Sequence, residues 1–175
     1  MHLAPALKNL ALLAILAFYG GSSLSKPASA ASGDIYLQIM GSDTSWAARE
    51  FTGHAFSCII LHLNNGVKED CYGFYPAGEG TRAVVSGPGV VNSEMDQNPS
   101  RFSRVTVSVE RKITDSQRRE ILQRMSAWNS GRYNLTNSSC IDLAHDVAGV
   151  AGLRRPDRGA LQLPVDYVRE LDKLN

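Results

Sequence analysis

The stretch from Gly53 to Pro76, GHAFSCIILHLNNGVKEDCYGFYP, decides the fold. His54 to Leu63 is rich in apolar and β-prone residues, Asn64-Asn65-Gly66 is a hairpin-turn signal, and Val67 to Tyr75 returns as a second strand that Pro76 stops. With a two-residue loop, Leu63 opposes Gly66 and Cys58 opposes Cys71. Directly opposed residues of an antiparallel pair have Cβ atoms about 4.5–5.5 Å apart, and a disulfide needs about 3.5–4.5 Å. Cys58 and Cys71 therefore either bridge the hairpin or sit in it as two reduced, buried thiols. A three-residue loop breaks the match.

Around this hairpin the chain reads as α+β, a small antiparallel sheet packed against helices. Upstream, DIYLQIM (Asp34 to Met40) alternates as a short strand. Downstream, residues 77–101 are rich in glycine, proline and polar residues and read as a long surface loop, with a short strand at Ala83–Ser86 as the one regular piece. A loop of that length inside a small domain is of the kind that forms lids and binding segments. RVTVSVERKI then alternates Val105, Val107 and Val109 as a half-buried strand. Thr114 and Gln117 form a capping-box pattern before the helical stripe Ile121, Leu122, Met125, Trp128, which places Trp128 in the core. A further helix is expected from about Cys140 to Ala151, and a C-terminal one in PVDYVRELDKL with Pro164 in its first turn. Trp46 has no stripe to place it.

Residues 1–30 read as a secretory signal peptide: Lys8 in the n-region, an uncharged apolar run from Leu10 to Tyr19 too short to span a bilayer, and Ala28-Ser29-Ala30 at the cleavage site. A secreted or periplasmic location follows as an expectation, with residues 31–175 as a single domain. Without Lys8 and Lys26 the 18 basic residues become sixteen against 17 acidic ones. No basic patch stands out, so nucleic acid is not an expected partner. No transmembrane anchor is expected after signal cleavage. No histidine, cysteine or carboxylate spacing suggests a metal site, and no cofactor motif is present.

Three cysteines cannot all pair within one chain. Cys140, in NSSCIDLAHDVAG, falls in the first turn of its helix, capped by Ser138 or Ser139. Unpaired N–H groups and the helix dipole stabilise a thiolate there, and the thiolate is the nucleophile. A nucleophilic cysteine needs a base. His145, five residues on in the same helix, points elsewhere, and His62 lies beside the hairpin turn. His54 stands at the start of its strand, open to a neighbouring helix end.

Gly53-His54-Ala55-Phe56, then the hairpin, a strand and a helix, then Tyr133-Asn134-Leu135 leading into Cys140-Ile141-Asp142, resembles the circularly permuted branch of the papain-like NlpC-type superfamily, which includes the lecithin–retinol acyltransferase-like proteins. In that branch the histidine strand precedes the cysteine helix. The resemblance covers roughly residues 33–153. It implies a permuted papain-like fold with Cys140 as nucleophile and His54 as base. It also implies a third polar group to orient the histidine. Here the sequence departs from a clear pattern: Tyr75, opposite His54, or a backbone carbonyl is the candidate, and Glu69 and Asp70 sit too near the turn. With export, the implied activity is a cysteine amidase or peptidase acting on cell-wall peptides. An acyltransferase or thioesterase of the same fold, or an exported binding module without activity, stays open. The sequence leaves the oligomeric state open.

Overall fold

The computed structural model describes residues 33–45, 52–78, 83 and 85–175. The signal-peptide reading and Trp46 lie outside the described residues. Six strands form one antiparallel sheet in the order β5-β1-β2-β3-β4-β6: β1 (Ile35–Ser42), β2 (His54–Leu63), β3 (Gly66–Pro76), β4 (Gly87–Ser93), β5 (Val105–Ile113) and β6 (Arg132–Tyr133). The helices are α1 (Glu94–Gln97), α2 (Asp115–Trp128), α3 (Cys140–Val150) and α4 (Pro164–Leu174), with a 3-10 turn at Pro99–Arg104. This is an α+β fold.

The β2–β3 hairpin has the register its loop dictates. Leu63 opposes Gly66 and Cys58 opposes Cys71, and the two cysteines are joined by a disulfide. Because side chains alternate along a strand, β2 and β3 serve two different cores. On one face Leu37, Ile39, Ala55, Ile59 and Phe74 pack under α2, α3 and α4, whose inward residues include Ile121, Val147, Ala148, Val168 and Leu171. On the other face Met40, Phe56, Cys58 and Cys71 form a smaller cluster, with Phe102 and Val105 against it. A fully buried aliphatic or aromatic side chain stabilises a fold by about 1.5–3 kcal/mol, so the helical face, with far more such residues, holds the sheet together.

The helix starts follow local chemistry. The Thr114 side chain accepts the Gln117 N–H, and the Gln117 side chain accepts the Thr114 N–H. Ser139 caps α3 in the same reciprocal way with Asp142. Trp128 is partly buried against the core, edge-on to Phe74, and its indole N–H donates to Asp146 at 3.0 Å.

The expected long loop over residues 77–101 is corrected. Its strand lies at Gly87–Ser93 rather than Ala83–Ser86, and pairs with β3 from Tyr72↔Ser93 to Pro76↔Gly89. Glycine content, which argues against a strand, has a packing reason here. A Cβ on Gly89 would stand 2.1 Å from Cζ of Phe74, so only glycine lets that ring lie beneath β4. Among the described residues, no helix is long and apolar enough to cross a membrane.

Candidate active site

His54 is the first residue of β2, and Cys140 the first of α3. α3 packs across β2 and β3, which brings its N-terminus to the beginning of β2. Cys140 is a free thiol, only 4% exposed. Its sulfur faces the His54 imidazole and the Ala55 backbone N–H. Burial pushes the thiol up, but the His54 ring outweighs it, and the net effect holds Cys140 below the ordinary thiol range. Burial likewise pushes His54 down, and the sulfur and a carboxylate outweigh it, raising its pKa to about 9. Each shift favours the charged form of its own group, thiolate for Cys140 and imidazolium for His54.

The carboxylate is Glu94, the first residue of α1 and fully buried. Glu94 Oε1 lies 3.2 Å from His54 Nε2. The ring N–H is not aimed along that line, so the contact is an ion pair more than a hydrogen bond. Glu94 is held from its other side. The Tyr75 hydroxyl donates to Oε1 at 2.5 Å, and Arg101 pairs with Oε2 while also donating to the Tyr75 oxygen. Burial raises the Glu94 carboxyl, yet His54, Arg101 and Tyr75 together keep it below the usual carboxylate range. Burial and the adjacent carboxylate push the Tyr75 phenol well above its ordinary value, so the hydroxyl stays protonated and donating.

Tyr75 thus stands against His54 as the register requires, but by ring stacking, with centroids 4.6 Å apart. The group at Nε2 is the Glu94 carboxylate. Sequence reasoning missed Glu94 because it fell inside the segment read as a loop. Gly73 makes its approach possible. A Cβ there would lie 2.0 Å from Glu94 Oε1 and 2.4 Å from His54 Nε2.

The start of α3 is fixed by a second set of contacts. The Ser139 Oγ accepts the Ile141 N–H, and Asp142 accepts the Ser139 N–H at 2.7 Å. Arg158, from the segment before α4, donates to both Asp142 oxygens, the Ser139 Oγ and the Leu135 carbonyl. His145 is turned away from Cys140 and meets the Tyr167 hydroxyl at 3.2 Å. His62 is exposed, edge-on to Tyr36. Among the described residues, Cys58, Glu69 and Cys71 are grouped closely enough to hold a metal ion, but the disulfide consumes both sulfurs.

No family model and no curated protein matches the sequence. Among solved structures the chain is similar to a type VI secretion system effector, TseH. The identity is 16% and the TM-score 0.49, over 81% of this chain and 89% of that chain.

Proposed function

We propose that the protein is a cysteine hydrolase, an amidase or peptidase, with Cys140 as nucleophile, His54 as acid and base, and Glu94 orienting the imidazole. The observation that carries this reading is the buried chain Cys140–His54–Glu94, with the thiol shifted down and the imidazole shifted up. Cys140 thiolate attacks a carbonyl carbon. The helix-start amides, including the Cys140 N–H, hold the developing oxyanion. His54 gives its proton to the leaving group, then takes one from water as the thioester is hydrolysed. Export, read from residues 1–30, and the resemblance to NlpC-type hydrolases together favour cell-wall peptides as substrate. The same constellation serves a thioesterase or acyltransferase, and the apolar pocket beside Cys140 favours that as the second reading.

The test is alkylation of the native protein with iodoacetamide at about pH 6, where an ordinary thiol of pKa near 8.5 reacts slowly, with adducts located by peptide mass spectrometry. Fast labelling at Cys140, slowed in His54→Ala, is the expected result and leads to a screen of cell-wall peptides. Labelling only after unfolding would return Cys140 to a structural role and favour a binding module without activity.

A further inference from the structure

Cys140 lines a pocket of about 110 Å³. Leu135, Ile141, Ala160, Leu161 and Leu163 supply its apolar wall. No charged side chain lines it among the described residues, and His54 is not part of it. Two of these residues, Leu161 and Leu163, are large apolar side chains exposed to solvent. Arg158 ties the segment that carries them back to Ser139 and Asp142 at the start of α3.

We infer that this pocket binds the acyl side of the substrate and selects a small, uncharged, branched aliphatic group next to the scissile carbonyl. The inference rests on the reading of Cys140 as nucleophile. Three observations carry it. The leaving group departs where it can take the proton of His54, and the pocket lies where His54 does not. The acyl half stays bonded to Sγ, and Ser139, Cys140 and Ile141 all border the pocket. The size is the third: a dry cavity of about 150 Å³ accepts a benzene-sized guest, so this slightly smaller pocket suits one branched aliphatic group and is too small to take up a long acyl chain whole. The lining is mostly apolar, with Thr52, Ser139 and Gln162 as its polar members and no charged side chain among the described residues, so a branched aliphatic group gains contact there that a carboxylate does not.

The experiment uses p-nitrophenyl esters of acetic, isovaleric, octanoic and succinic acids with the full chain. In each, the Cys140 sulfur bonds to the carbonyl carbon, the carbon–oxygen bond breaks, and p-nitrophenolate leaves with the electron pair. Water then cleaves the thioester to the free acid and restores the thiol. The rate of acyl-Cys140 formation is read from p-nitrophenolate release and intact mass, beside the rate of iodoacetamide alkylation. The isovaleryl ester is expected to outpace each of the other three by about tenfold or more. Ala160→Leu, an exposed position whose added bulk fills the pocket, should abolish that preference, bringing the isovaleryl ester down to the rate of the acetyl ester. Equal acylation across the series with alkylation intact, or a preference that survives Ala160→Leu, overturns the pocket assignment alone. A Cys140 inert to iodoacetamide and to every ester overturns the nucleophile reading and the pocket with it.

Discussion

Glu94 Oε1 and His54 Nε2 meet at 3.2 Å across the bare Cα of Gly73. The two residues come from different elements, and the missing side chain between them is what allows the approach. Gly73→Ala should therefore separate the pair without disturbing strand pairing. A displacement of about 1 Å in a catalytic group costs on the order of 100-fold in rate. The expected outcome is a loss of that order in kcat, with the far-ultraviolet dichroism of the parent retained. Unchanged kcat would show that the Glu94–His54 contact contributes nothing to turnover.

The pH dependence of Cys140 reactivity follows from the two shifts. Reactivity rises as the thiol ionises, below the ordinary thiol range. Under the proposed mechanism, turnover is expected to fall as His54 loses its proton near pH 9, because the neutral ring has no proton for the leaving group. Glu94 is one of the groups that raise His54. Glu94→Gln should move the alkaline limb down by about one unit or more, while iodoacetamide still labels Cys140. A limb that stays in place would assign the His54 shift to the sulfur alone.

Glu94 and Arg101 are both buried, at 0% and 3% exposure, and paired. Breaking a buried ion pair by removing one partner costs about 3–5 kcal/mol, so Glu94→Gln should lower urea-unfolding stability by that order. Replacing both residues together, Glu94→Leu with Arg101→Met, should recover much of the loss but not the activity. Equal stability of the single and double variants would deny the pair a structural role.

The Cys58–Cys71 bridge closes a segment with a sequence separation of 13. A loop of that length stabilises a fold by about 3 kcal/mol through the unfolded chain. Cys58→Ala with Cys71→Ala should lower the unfolding midpoint accordingly. The parent protein in dithiothreitol should match the double variant. A parent insensitive to reductant would mean the bond forms without stabilising the hairpin.

The hairpin, its register and the two ends of the candidate site were legible in the sequence because each rests on local chemistry. Asn64-Asn65-Gly66 sets the turn, the turn sets Cys58 opposite Cys71, and a serine cap sets Cys140 at a helix start. What stayed hidden depends on packing between distant residues. β4 reads as a loop until the Phe74 ring explains Gly89. Glu94 reads as a loop acid until β4 delivers it over Gly73. Tyr75 was placed against His54 correctly by register, but register cannot tell a stacked ring from an orienting acceptor.

The bridge between Cys58 and Cys71 also bears on how the Cys140 thiol survives oxidation. A chain with three thiols folding under oxidising conditions can lose Cys140 to the wrong partner. Hairpins close in about 1–10 μs, and contacts near in sequence form before distant ones. β2 and β3 are neighbours in the chain, whereas α3 joins them from far downstream. The competitors for Cys140 are thus expected to be held side by side in the hairpin, poised to pair with each other, before α3 docks. Trapped intermediates of oxidative refolding should carry the Cys58–Cys71 bond while Cys140 is still open to alkylation.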